Sequence, residues 1–228
     1  MWIKICGITT AEDALTVADA GASAIGLNFY QASPRCVTRA QARLITDRVS
    51  EDLDVVGLFV SDPAHRAAQI VDEVGLTAVQ FHGDQSPSEV QRFQRLCPHT
   101  PVIRAFRVGS ATKPFQTQWQ EFDVLSTPLT AILVDAWSPE RYGGTGQIVE
   151  SNLLNGSKQL NCPLILAGGL TPDNVADALT TIRPWGVDTA SGVEISPGVK
   201  SAELVKRFVN VCRQVIPGSQ FVRLPSQC

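Results

Sequence analysis

Several things are scarce in this 228-residue chain, and each scarcity excludes something. Histidine occurs three times and methionine once. The six cysteines, Cys6, Cys36, Cys97, Cys162, Cys212 and Cys228, form no C-x-x-C pair and have no histidine at zinc spacing. That pattern argues against a metal site. A chain of this length does not need disulfides, and scattered cysteines suit a reducing cytosol. No apolar run approaches the roughly 20 residues of a membrane span. The start, Met1-Trp2-Ile3-Lys4, lacks the layout of a signal peptide. A cytoplasmic protein is therefore expected. Neither sign of charge dominates: 19 basic against 22 acidic residues give a net charge of −3, with no basic footprint for nucleic acid.

What is present is alternation. Apolar residues make up 44% of the chain, enough for one sizeable core. Strand-like segments read at Ile3–Cys6, Ala24–Phe29, Val55–Val60, Thr77–Phe81, Val102–Val108, Ala131–Asp135, Pro163–Ala167 and Gly186–Thr189. Val55–Val60 is a near-continuous apolar run, as a strand buried on both faces requires. Helix starts fall between the strands. Thr9 with Glu12 and Thr38 with Gln41 have capping-box spacing, while Asp62-Pro63 and Ser86-Pro87 offer a cap followed by proline. Thr171–Asn174 and Ser201 open two later helices. Apolar stripes are predicted to include Ala14, Leu15 and Ala18, then Leu44, Ile45 and Val49. A short helix within Pro114–Glu121 and another over Ile148–Leu160 complete the pattern. Eight βα units at about 28 residues each favour a closed parallel (β/α)8 TIM barrel of the α/β class over an open sheet. An open doubly wound sheet would need a fingerprint after the first strand, and Cys6-Gly7-Ile8-Thr9 is not G-x-G-x-x-G. With no linker-like stretch, one barrel domain is expected over residues 1–216, with a tail over 217–228.

In such a barrel chemistry sits at the C-terminal ends of the strands. That rule yields Cys6, Asn28 and the loop bearing Arg35, His82, Arg104 and Arg107, Asp135, Gly168-Gly169, and Asp188 with Ser191-Gly192. Cys6 reads either as a buried structural thiol or as a reacting group. Asp135 ends an apolar strand, either as partner to Arg104, Arg107 or Lys4, or as a general acid or base. Arg35 is a solvated loop charge or a clamp for a carboxylate or phosphate, and His82 reads as a structural histidine. The glycines make tight turns or bring backbone N–H groups to a phosphate, the usual use of loops seven and eight. Lys4 shares the face of Cys6 on period-two counting and would favour its thiolate. The loop Ala136–Gly146, with Trp137, Arg141 and Tyr142, reads as a mobile lid or a surface linker.

Six motifs in order carry a family resemblance. Lys4-Ile5-Cys6-Gly7-Ile8-Thr9 resembles the N-terminal signature of the phosphoribosylanthranilate isomerases of tryptophan biosynthesis. Gly26–Tyr30 with Ser33-Pro34-Arg35, Val79–Asp84, Val134-Asp135 with Tyr142–Gly146, Leu166–Leu170, and Asp188–Glu194 followed by Pro197–Lys200 are similar to later strand ends of that family. The resemblance implies an Amadori rearrangement of N-(5-phosphoribosyl)anthranilate to 1-(2-carboxyphenylamino)-1-deoxyribulose 5-phosphate, without a cofactor. It implies Asp135 as general acid, Cys6 as general base, Arg35 at the anthranilate carboxylate and Asp188 near the sugar hydroxyls. Gly168, Gly169, Ser191 and Gly192 would hold the phosphate. The partner implied is a small phosphosugar, with neither nucleic acid nor membrane, and the chain is a monomer or a homodimer. Gln147-Ile148-Val149-Glu150 departs from the family in lacking an aromatic pair. Two alternatives stand beside this reading. A histidine-pathway isomerase would place an aspartate where Cys6 stands, and a non-catalytic phosphate binder would need neither Cys6 nor Asp135.

Overall fold

The computed structural model describes residues 1–108, 114–124, 127–136, 162–216 and 222–225. Eight parallel strands close into a barrel in chain order, and β8 pairs back onto β1. They are β1 (Trp2–Cys6), β2 (Ala24–Asn28), β3 (Asp54–Phe59), β4 (Ala78–Phe81), β5 (Val102–Val108), β6 (Ala131–Ala136), β7 (Leu164–Ala167) and β8 (Gly186–Thr189). The helices are α1 (Ala11–Asp19), α2 (Arg39–Thr46), α3 (Ala64–Val74), α4 (Pro87–Leu96), α5 (Phe115–Val124), α6 (Val175–Ile182) and α7 (Ala202–Val215). A 3-10 turn at Ser191–Val193 leads into a small antiparallel hairpin, β9 (Glu194–Ser196) and β10 (Val199–Lys200). The helix expected over Ile148–Leu160 and the loop carrying Trp137, Arg141 and Tyr142 lie outside the described residues.

Period-two alternation divides the strand residues between two cores. Trp2, Ala24, Val56, Ala78, Ile103, Ala105, Ala131, Leu133, Ile165 and Ala167 fill the barrel. Ile3, Ile5, Ile25, Val55, Phe81, Phe106, Ile132 and Val187 face the helices. This parity decides which residues near the strand ends point into the mouth.

Three of the expected helix caps are as read, among them Ser201, whose hydroxyl accepts from the Leu204 N–H at the start of α7. Thr38 and Gln41 form a full capping box, and Ser86 accepts from the Glu89 N–H with Pro87 opening the helix. Two others differ. Thr10, not Thr9, caps α1, because Thr9 Oγ1 instead donates to the Gly198 carbonyl at 2.6 Å. Asp62 does not cap α3. It pairs with Arg66, and the Ala64 N–H is satisfied by Glu89 of the neighbouring helix at 2.6 Å. Leu15 and Leu44 point outward, while Val17 and Ala42 take their places against the barrel.

Residues 222–225 return to the bottom of the barrel. Asp54 Oδ2 accepts from Trp2 Nε1 and from the Leu224 N–H, each at 3.0 Å. Arg223 pairs with the other carboxylate oxygen at 3.4 Å, and Leu224 packs on the interior core beside Trp185. The hydrogen bonds account for a carboxylate only 5% exposed at the start of β3.

Candidate active site

The inward parity that starts at Trp2, Ala78, Leu133 and Gly186 continues upward to Lys4 and Cys6, Gln80 and His82, Asp135, and Asp188. The sequence-predicted residues of β1, β4, β6 and β8 thus converge on the C-terminal mouth. Gly26 on β2 makes room there, since a Cβ at that position would stand 2.7 Å from Cys6 Sγ and 3.0 Å from Lys4 Cε.

Cys6, Lys4 and Asp188 form one buried electrostatic unit. Lys4 is fully buried, and its Nζ lies 2.8 Å from Asp188 Oδ1, an ion pair whose approach is not aligned as a hydrogen bond. Burial pulls the Lys4 pKa down, but attraction to Asp188 and Cys6 more than offsets this, and the ammonium is favoured. Burial pushes the Asp188 carboxyl up, against the pull of Lys4. Burial likewise pushes the Cys6 thiol up, with Lys4 and Lys200 pulling it back part of the way. Lys4 therefore acts on Cys6 in the expected direction, yet desolvation outweighs it and holds the thiol above its ordinary range.

A second network ties the mouth together. Lys200 on β10 is buried, and its Nζ donates to the Cys6 carbonyl at 2.6 Å, the Ala190 carbonyl at 3.2 Å and Glu194 Oε1 at 2.7 Å. Three acceptors match the three ammonium protons. Glu194 in turn grips Arg35 by two parallel bonds, Nε to Oε1 at 2.8 Å and Nη2 to Oε2 at 2.6 Å. Burial alone would raise the Glu194 pKa, but the bonds from Arg35 and Lys200 together hold it below its ordinary value. Arg35 is thus no free loop charge: one edge of its guanidinium is fixed, and Nη1 lies outside that fork.

Asp135 does not pair with Arg104, Arg107 or Lys4. Its Oδ2 lies 3.2 Å from His82 Nε2, and His82 Nδ1 lies 2.7 Å from Gln80 Nε2. His82 is therefore part of the mouth. Arg104 has the opposite parity to Ile103 and Ala105 and points into the strand–helix layer, over the rings of Phe106 and Phe122 at 5.2 and 5.4 Å. Desolvation there lowers its pKa to about 10. Arg107 sits at the rim and donates to the His82 carbonyl at 3.1 Å. A cavity of about 500 Å³ runs from His82 past Arg104 and Phe106 to Phe122.

The loops after β7 and β8 are stitched to each other. Gly168 and Gly169 have φ of 92° and 63°, which favour glycine, and Asn174 Nδ2 holds the Gly169 carbonyl at 3.0 Å. Thr189 Oγ1 donates to the Leu170 carbonyl at 2.6 Å, and Gly192 lies so close that a Cβ would stand 1.9 Å from the same oxygen. The two glycine elements therefore form one floor beside the N-terminus of α6. Among the described residues no group of three or more His, Cys, Asp or Glu side chains is arranged to hold a metal.

Lys200 and Glu194 escape strand-end reasoning because they lie on a hairpin beyond the last barrel strand. Their signal is an opposite-charge pair six residues apart across Pro197-Gly198, brought opposite each other by the hairpin register. Gln80 carries a weaker signal, a polar residue two before His82 on an otherwise apolar strand.

Comparisons with known proteins point to one family. A family model described as N-(5'phosphoribosyl)anthranilate (PRA) isomerase matches residues 3–211. The curated N-(5'-phosphoribosyl)anthranilate isomerase of Chlorobaculum parvum is 43% identical over 217 residues, covering 93% of this chain and 95% of the relative. That of Pelobacter propionicus is 40% identical over 214 residues, with the same coverage of each. The crystal structure of the Thermotoga maritima phosphoribosyl anthranilate isomerase superposes with a TM-score of 0.82 at 32% identity, covering 94% of this chain and 99% of that one. A phosphoribosyl anthranilate isomerase solved with reduced 1-(o-carboxyphenylamino)-1-deoxyribulose 5-phosphate superposes at 0.78 with 29% identity, covering 94% and 99%.

Proposed function

The chain belongs to the N-(5'-phosphoribosyl)anthranilate isomerase family, and from that premise we propose how its residues share the work. The enzyme converts N-(5-phosphoribosyl)anthranilate to 1-(2-carboxyphenylamino)-1-deoxyribulose 5-phosphate in tryptophan biosynthesis. The reaction moves hydrogen within one molecule: C1 of the sugar is reduced as C2 is oxidised, so acid–base groups and a shaped site suffice.

Asp135, as a carboxylic acid, protonates the ring oxygen while the C1–O bond breaks and the aniline nitrogen closes a C1=N bond. Cys6, as thiolate, takes the proton from C2. The electron pair runs to nitrogen and forms an enolamine, which tautomerises to the ketone at C2. Lys4 and Lys200 supply the positive field that makes a thiolate accessible at Cys6. Acid and base must be present in opposite protonation states; at Cys6, only 7% exposed, burial opposes the thiolate and the two lysines work against that burial.

The substrate is a phosphosugar with an anion at each end. Gly168, Gly169, Ser191 and Gly192 receive the phosphate on backbone N–H groups, aided by the α6 dipole. Arg35 meets the anthranilate carboxylate with the edge that Glu194 leaves open, and Asp188 orders the sugar hydroxyls. The observation that carries this reading is the joint placement of Cys6 and Asp135 on inward positions of β1 and β6, beside the glycine floor after β7 and β8. The test is the fluorescence change of freshly made phosphoribosylanthranilate with wild type, Cys6→Ser and Asp135→Asn. Wild type is expected to turn over and each variant to lose at least about a hundredfold in kcat. Near-normal turnover by a variant removes that residue's role.

A further inference from the structure

Gln80 is fully buried on β4 and faces the barrel axis. Its Nε2 lies 2.7 Å from His82 Nδ1, while its Oε1 has no hydrogen-bond partner among the described residues. An amide nitrogen only donates, so His82 Nδ1 must accept and carry no proton. The neutral imidazole then holds its proton on Nε2, which faces Asp135 Oδ2 at 3.2 Å and donates to it. Turning the amide over would leave its N–H donors buried where a carbonyl oxygen now stands. Orphaned buried N–H groups are the rarer and costlier defect.

We infer that Gln80 is a positioning residue: it fixes the Nε2–H tautomer of His82 and so decides which oxygen of Asp135 carries the transferable proton. This rests on the reading of Asp135 as the general acid. With Oδ2 committed to the His82 N–H, the acidic proton sits on Oδ1. The acid enters each turnover with one donor orientation instead of two. A buried glutamine with an orphan oxygen is a poor choice for stability alone, since a methionine of similar length has no oxygen to orphan. Its place in the barrel axis is explained by what the other end of the amide does to His82.

The test reads the tautomer directly. Full-length protein labelled with 15N-histidine is examined by long-range 1H–15N correlation, and His82→Asn assigns its signals among the three histidines. Wild type is expected to show an unprotonated Nδ1 and a protonated Nε2. An Nδ1–H tautomer, or an even mixture, overturns the inference. Gln80→Met is expected to hold its Tm within about 4 °C of wild type and to give a mixed tautomer pattern. Its kcat should fall about tenfold while KM changes less than about threefold. Retention of both tautomer and kcat in Gln80→Met overturns the inference as well. If Gln80→Met does not fold, the wild-type spectrum decides alone. The two levels separate cleanly. Full turnover by Asp135→Asn removes the acid assignment whatever the spectrum shows. A wrong tautomer beside an inactive Asp135→Asn removes only the role given to Gln80.

Discussion

Replacing Lys4 with methionine removes one charge from a deeply buried ion pair and leaves Asp188 behind. Coulomb's law at an effective dielectric of about 20 gives roughly 6 kcal/mol for unit charges at the 2.8 Å separation of this pair. Desolvation takes back much of that, and breaking one side of a buried pair costs about 3–5 kcal/mol in practice. The Lys4–Asp188 approach lacks hydrogen-bond alignment, so the lower end, about 3 kcal/mol, is expected. Urea denaturation followed by far-UV circular dichroism should show Lys4→Met with a lower midpoint and an unchanged m-value. Lys4→Met/Asp188→Leu, which removes both charges, should return to within about 1 kcal/mol of wild type. The Cys6 thiol of Lys4→Met should also titrate at higher pH than in wild type, because the stronger of the two cationic pulls on it is gone. A loss under about 1 kcal/mol in the single variant, or strictly additive losses in the double, would refute the account of a coupled pair.

In wild type, the pH dependence of Cys6 alkylation, read on its own peptide by mass spectrometry, should have a midpoint above the ordinary thiol value of about 8.5, because burial outweighs Lys4 and Lys200. Raising the pH then increases the thiolate fraction, so kcat/KM should climb over the same range; a midpoint below the ordinary value contradicts this. Gly192→Ala places a Cβ against the Leu170 carbonyl, so the glycine floor must shift and KM should rise about tenfold with a smaller change in kcat. Steady-state kinetics with an unchanged KM would count against a phosphate site there. Deleting residues 217–228 strips Asp54 of the Leu224 and Arg223 donors and should lower Tm by about 2–8 °C with kcat unchanged. An unaltered Tm would show that the segment contributes nothing.

How much was legible in the sequence follows from which signals are local. The strands were legible because residues buried on both faces must be apolar, and branched aliphatic side chains fill them, as Val55-Val56 and Ile132-Leu133 show. Cys6 and Asp135 were legible as strand ends, since parity and topology alone put them at the mouth. The caps at Thr38 and Ser86 were legible because their partners are three residues away. Thr9 misled because it has a better partner far along the chain in Gly198, and Asp62 because it pairs with the Arg66 side chain in the first turn of α3 instead of capping it. Leu15 and Leu44 misled because a helix of eight or nine residues has no repeat long enough to fix its phase. Arg104 could have been placed outward by counting in twos from Ile103. The bonds of Lys200 to Cys6 and Ala190, and of Glu194 to Arg35, join segments more than 150 residues apart or on different elements. No spacing in the chain announces them.

The central claim is that a thiolate at Cys6 removes the C2 proton of the substrate. Single-turnover kinetics with phosphoribosylanthranilate deuterated at C2 tests it most directly. Wild type should slow with deuterium, and Cys6→Ser should be at least about a hundredfold slower than wild type with either isotope. A Cys6→Ser rate within about threefold of wild type would show that another group takes the proton.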